Sequence, residues 1–277
     1  MSEQKRVSET AETAALIRAV ACFEPDEKIK GRDELAKLFL SEERREKLPG
    51  ETWRSAVKQR VEAKSKGLYE YVIARTAFFD ELFISTLNEN VPQIVLLGAG
   101  YDSRAYRFPS GVKIFEVDAS FTQERKTSIL QINGIDCGEA VFVTVDFDKD
   151  DLFERLWNRE YDPANRTLFI WEGVTPYLSS ETVRAVLMAI KQGCRESILA
   201  FDYLNMPLSG GNELILQDER VLFGMGKVEI ETWLGSLGYR VIENLEPAEI
   251  AARYLTGTDG MIFGDIKKTM NFIKTTV

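Results

Sequence analysis

Four short stretches of this sequence carry residues that could do chemistry. Gly98-Ala99-Gly100 follows the apolar run Ile94–Leu97. Asp118 closes IFEVD, Asp146 closes FVTVD, and Glu172 follows LFIW. Glycines leave bare backbone where a ligand can approach closely. Carboxylates accept hydrogen bonds from hydroxyls and amines. A single acid at such a place is as readily a turn former or a helix cap. Three acids after successive apolar runs, beside a glycine pair, make a more specific pattern. Asp118 stands twenty positions after Gly98, where an acid can accept a ribose diol. The set suits a nucleoside, with acids for hydroxyls and a ring amine.

Absences narrow the chemistry. The 277 residues contain no histidine. A histidine base, Ser-His-Asp or Cys-His catalysis and a histidine-held metal are therefore excluded, and no metal site is expected. Cys22, Cys137 and Cys194 are far apart, odd in number and outside any CxxC pair. That fits reduced thiols better than disulfides or zinc. The net charge of −9 argues against a nucleic-acid partner. MSEQKRVSETAETAA has no apolar core of a secretory signal, and no window approaches a membrane-spanning apolar run. A cytoplasmic protein without a membrane partner is expected.

Lining up four such turns requires strands that end on one edge. The runs 94–97, 112–117, 141–145, 167–171 and 198–201 are short, rich in Val, Ile and Phe, and lack polar alternation. Such runs suit strands buried on both faces. Helical patterns between them predict right-handed crossovers and a mostly parallel sheet. A further strand is expected over 239–244 and another over 261–266, which Gly260 and Gly264 weaken, with the amphipathic helix EPAEIAARYL between them. Residues 1–90 read as helical, ending in a strong amphipathic helix over 67–87. The expected organisation is one domain: a helical N-terminal cap over 1–90, and a Rossmann-like core over 91–277 with a lid insertion near 204–228. The end of the chain, with Lys267, Lys268 and Phe272, reads as either a homodimer contact or a loose end.

The glycine turn separates nucleotide classes. A dinucleotide fold wants G-x-G-x-x-G, with its third glycine under a pyrophosphate. Here that position is Ser103, and Asp102 is a poor neighbour for phosphate. The turn favours a ligand without phosphates, such as S-adenosylmethionine. A NAD-dependent oxidoreductase and a non-catalytic binding module on the same fold are the rival readings.

At this point the sequence resembles a known family. VLLGAGYDSRAYRF resembles the L-G-A-G-x-D-[ST]-R-x-[YW]-R signature of the leucine carboxyl methyltransferase-like family. IFEVDASFTQERKTSIL resembles its F-E-V-D-x-P…K segment, departing at Ala119-Ser120. LFIWEGVTPYLSSETV resembles its E-G-[LV]-x-x-Y-L motif. YVIARTAFFD, ILAFDYL and WLGSLGYRVIENLEPAEIAARY extend the likeness over residues 8 to 255, while FGDIKKTMNFIKTTV has no counterpart. The resemblance implies an α/β, Rossmann-like class I methyltransferase fold with helices on both sheet faces, using S-adenosyl-L-methionine. It implies that Arg75 binds the cofactor's carboxylate, against the alternative of an exposed helix charge. It implies Gly98 and Gly100 under the methionine part, Asp118 at the ribose, Asp146 with Phe147 beside adenine, and Glu172 near the amino end. Arg104 and Asp102 read as a pair that stiffens the turn, and Arg107 as a surface charge.

Methyl transfer from a sulfonium needs alignment and exclusion of water more than acid–base chemistry. A carboxylate acceptor is already ionised at neutral pH, which suits a chain without histidine. The expected activity is O-methylation of a small molecule, at a carboxylate first and a hydroxyl second. Tyr177 and Tyr203 follow the fourth and fifth runs and are candidates for the substrate pocket, with core packing as the alternative for each. Phe78, Phe79, Phe83 and Trp53 could line that pocket, but their helical spacing favours a core role.

Overall fold

The structure, a computed structural model, describes residues 3–108, 111–138, 140–194, 196–208, 215–216 and 219–277. Four helices come first: α1 (Glu3–Ala21), α2 (Glu42–Lys47), α3 (Glu51–Lys64) and α4 (Leu68–Asn88). Strands and helices then alternate: β1 (Gln93–Leu97), α5 (Arg104–Arg107), β2 (Lys113–Asp118), α6 (Ser120–Ile132), β3 (Ala140–Thr144), α7 (Leu152–Trp157), β4 (Thr167–Trp171), α8 (Ser180–Gly193) and β5 (Ile198–Leu204). A two-residue ladder, β6 (Ile215–Leu216) with β7 (Glu219–Arg220), precedes α9 (Lys227–Ser236), β8 (Arg240–Leu245), α10 (Pro247–Tyr254) and β9 (Met270–Thr276).

Seven strands form one sheet in the order β3-β2-β1-β4-β5-β9-β8. β1 to β5 run parallel. β9 is antiparallel to both of its neighbours, β5 and β8. Every residue of β1 and β4 is buried. The pleat sends their side chains alternately to two cores. Ile94 and Leu96 join α1, α4 and α10 on one face. Val95 and Leu97 join α7, α8 and α9 on the other. A parallel sheet covered on both faces explains runs without polar alternation. The order reverses between β1 and β4, so their carboxyl ends flank the crevice where ligands sit in open α/β sheets.

The chain end departs from expectation. Residues 261–266 form no strand. Gly260 (φ +80°) and Gly264 (φ +68°) take left-handed conformations, and only an isolated bridge joins Thr256 to Ile262. The last strand is instead β9, inserted between β5 and β8. Phe272 is fully buried there, stacked on Phe78 with ring centroids 5.0 Å apart. It is therefore neither a loose end nor an accessible dimer contact. Within the expected lid, residues 209–214 and 217–218 lie outside the described residues. The described remainder is tied down: Leu222 and Phe223 donate to the Pro176 carbonyl, and Met225 donates to that of Leu204.

Candidate functional site

A cavity of about 770 Å³ opens beyond the carboxyl ends of β1 to β4. Arg75, Gly98, Gly100, Asp118, Asp146, Phe147, Glu172 and Tyr177 all line it. Tyr203 does not. It is fully buried in β5, and its hydroxyl donates to Asn244 Oδ1 at 3.0 Å while accepting from Asn271 Nδ2 at 3.1 Å. That hydroxyl points toward β8 and β9, away from the strand-end edge, so Tyr203 is a core tyrosine. Phe78, Phe79 and Phe83 are core residues of α4, and Trp53 packs against the same core.

The glycines serve two different purposes. Gly98 has φ +64°, and a Cβ there would meet Val174 Cγ2 at 2.5 Å. The close approach at this position comes from the turn after β4. Gly100 has φ +43°, and a built Cβ there meets only ordinary contacts, Ala11 Cβ at 3.7 Å and the Gly98 carbonyl at 3.8 Å. Its requirement is conformational. The Gly100 amide then donates to Asp118 Oδ2 at 2.5 Å, and the Ala119 amide to Oδ1 at 2.7 Å. The Thr122 hydroxyl bonds the same carboxylate, which still has acceptor capacity left for a ligand hydroxyl. Burial pushes the Asp118 carboxyl above its ordinary value, against the pull of these two amides. Asp146 is more open. Its carboxylate accepts from the Asp148 amide at 3.1 Å and from Lys149 Nζ at 2.5 Å, so it also shapes its own turn. Phe147 leans toward Trp171, with centroids 6.0 Å apart.

Glu172 and Arg75 meet on the cavity floor. Arg75 Nε donates to Glu172 Oε1 at 2.9 Å, and Arg104 Nη1 donates to Oε2 at 2.7 Å. Arg75 is 6% exposed, which overturns its reading as an outward helix charge. Burial favours a neutral Glu172, but Arg104 and Arg75 outweigh it and hold the carboxyl below its ordinary value. Arg104 also binds Asp80 at 2.8 Å and Asp102 at 2.6 Å, so the expected pair with Asp102 is one arm of a larger cluster. Arg107 is no surface charge. Its side chain, 8% exposed, pairs with Asp80 at 2.8 Å, and its Nε donates to Ser103 Oγ, also at 2.8 Å. Ser103 in turn donates to Asp33 at 2.6 Å. The serine in place of a third glycine is thus a link in a buried ion cluster.

Several lining residues had no signal in local sequence. Arg18 of α1 bonds Asp33 at 2.8 Å and the Tyr101 carbonyl at 2.7 Å, which lays α1 across the glycine turn. Thr10, Ala11 and Ala14 of the same helix face the cavity, as do Phe121, Arg220 and Leu222. Asp202 was detectable in principle, as a charge inside the apolar run ILAFDYL. Its Oδ1 accepts the Gly173 amide at 2.6 Å.

The model of the family described as leucine carboxyl methyltransferase matches residues 11–191, more than half of the chain. That span stops short of the 8–255 over which the motifs resemble it. A Mycolicibacterium smegmatis protein, provisionally named an S-adenosyl-L-methionine-dependent methyltransferase, is 34% identical over 187 residues, 63% of this chain and 56% of its own length. A Frankia alni protein with the same provisional name is 38% identical over 119 residues, 42% of this chain and 41% of its own. The chain spans about half the length of the curated relatives it matches. The crystal structure of a provisionally named methyltransferase from Thermobifida fusca YX superposes with a TM-score of 0.59 at 16% identity, covering 95% of this chain and 93% of that one. It shares the Rossmann-like fold seen here. With its family match, its glycine turn and its strand-end acids, the chain belongs to the leucine carboxyl methyltransferase family.

Proposed function

We propose that this chain is an S-adenosylmethionine-dependent methyltransferase that delivers methyl to an oxygen of a small molecule, a carboxylate first and a hydroxyl second. The observation that carries this reading is the convergence of Gly100, Asp118, Asp146, Phe147, Glu172 and Arg75 on one cavity at the strand-order reversal. Its volume, about 770 Å³, falls within the ~300–1,000 Å³ of small-molecule sites.

The residues fit such a cofactor by their chemistry. Asp118, fixed by two backbone amides, accepts the ribose diol. Phe147 offers a ring edge or face to adenine, and Asp146 an acceptor for its amine. Arg75 takes the carboxylate of the amino-acid end, and Glu172 lies beside it for the ammonium. When bound, S-adenosylmethionine supplies a methyl group activated by a positively charged sulfur. The protein's own work is alignment and exclusion of water. α1 covers the glycine turn through Arg18, and Leu222, whose amide donates to the Pro176 carbonyl, lines the same cavity as Tyr177 and Arg220. No histidine is present to act as a base. A carboxylate acceptor needs none, because it is ionised at neutral pH.

Calorimetric titration of S-adenosylhomocysteine into wild type and Asp118→Ala tests the cofactor. Micromolar binding that the substitution weakens at least tenfold, ~1.4 kcal/mol, is the expected result. Binding of NADH in place of S-adenosylhomocysteine refutes the reading in favour of an oxidoreductase. A panel of acids, alcohols, amines and thiols with labelled S-adenosylmethionine tests the acceptor. Labelling of amines or thiols alone refutes oxygen as the target.

A further inference from the structure

Asp202 lies inside β5, fully buried and outside the cavity wall. Two lining residues of the cavity, Arg75 and Gly173, and the core residue Tyr71 nevertheless converge on its carboxylate. Oδ1 accepts the Gly173 amide at 2.6 Å. Oδ2 accepts the Tyr71 hydroxyl and lies 3.5 Å from Arg75 Nη1. Arg75 itself lies against Gly173, where a Cβ would come within 2.9 Å of Nη1. Its Nε is taken by Glu172 on the other side, and its guanidinium passes 5.4 Å from the Tyr71 ring centre. Glu172 and Asp202 thus hold one guanidinium from two directions. A buried carboxylate is costly unless it is paired and hydrogen-bonded. An apolar strand needs none for its packing.

We infer that Asp202 is a positioning residue, one that fixes the Arg75 guanidinium and the Gly173 amide so that a ligand's amino-acid end meets a preformed cation. An arginine has a flexible stem, and a guanidinium already held in place loses less freedom on binding. Tyr71 completes the device by holding the same carboxylate oxygen from α4. The inference rests on the reading that Arg75 receives the cofactor's carboxylate.

The test compares two ligands that differ only at that end. S-adenosylhomocysteine carries the amino-acid part. 5′-Methylthioadenosine keeps the adenosine and the sulfur without it. Both are titrated into wild type, Arg75→Met, Asp202→Asn and Tyr71→Phe. Arg75→Met and Asp202→Asn are expected to weaken S-adenosylhomocysteine about tenfold or more while methylthioadenosine changes by less than about twofold. Tyr71→Phe, which removes one hydroxyl and keeps the ring, is expected to weaken S-adenosylhomocysteine alone, by a smaller factor. If Arg75→Met is selective but Asp202→Asn weakens both ligands alike, or neither, Asp202 is scaffold and the inference falls. If Arg75→Met is not selective, the underlying reading of Arg75 falls with it. Should Asp202→Asn fail to fold, Tyr71→Phe decides: selective loss supports the inference, and equal or absent loss overturns it.

Discussion

Replacing Glu172 by Gln probes the electrostatic floor of the cavity. The amide keeps the shape of the side chain and one acceptor oxygen. It removes the charge between Arg75 and Arg104, which Glu172 bonds at 2.9 and 2.7 Å. It also turns an NH₂ group toward one guanidinium. Breaking a buried ion pair costs ~3–5 kcal/mol. Each arginine retains another carboxylate, Asp202 for Arg75 and both Asp80 and Asp102 for Arg104. The low end, about 3 kcal/mol, is therefore expected. At ~2–4 °C per kcal/mol for a chain of this order of size, Tm should fall by roughly 6–12 °C. The pH dependence follows from the direction of the shift. Burial raises the Glu172 carboxyl, Arg104 and Arg75 lower it further than burial raises it, and the folded value lies below the unfolded one. Stabilisation from such a group is fully present above the unfolded value, about 4.3, and is lost as pH falls through the folded one. Calorimetric melts of both proteins should show a constant gap from neutral pH down to about pH 5.5, closing only in stronger acid. A gap under about 2 °C at neutral pH, or one that already shrinks before about pH 5.5, would refute this account of the cluster.

Two further changes test the frame around the site. Phe272→Ala should cost ~3–5 kcal/mol in urea unfolding, because the ring is fully buried 5.0 Å from Phe78 and 5.7 Å from Tyr71. A loss below about 1 kcal/mol, the scale of surface changes, would place the chain end outside the core. Lys126→Met removes the cation 2.7 Å from Glu116, where both side chains are 1% exposed, and leaves the carboxylate with the Tyr106 hydroxyl at 2.8 Å. A loss of ~3–5 kcal/mol is expected, largely restored by adding Glu116→Leu. Additive losses in the double variant would show that the pair is not the source of the effect.

Much of the lining of the candidate cavity was legible because a parallel sheet converts sequence order into position. Once the apolar runs are read as strands buried on both faces, the residue after each run falls on one edge. Gly98, Asp118, Asp146 and Glu172 needed no knowledge of distant contacts. Asp202 and Tyr203 show where that logic stops. Adjacent strand residues face opposite sides, so one reaches the Gly173 amide while the other turns to Asn244. An apolar run without alternation carries no mark of which face is which.

The first five strand runs, the glycine turn, the acids beside it and the exclusion of histidine chemistry could be read from residue order, because they depend on composition and on neighbours close in the chain. The remaining features arise from contacts between distant segments. Arg18 reaches Tyr101 across 83 positions, and Ser103 reaches Asp33 across 70. The buried roles of Arg75, Arg104 and Arg107 depend on carboxylates brought from other elements. MNFIKTT enters the sheet through pairing with ILAFDYL some seventy positions earlier. Its Asn, Lys and Thr residues hide that destination until both neighbouring strands are in place. A charge or a polar strand is buried only when distant partners satisfy it, and that pairing is a property of the fold rather than of any local stretch.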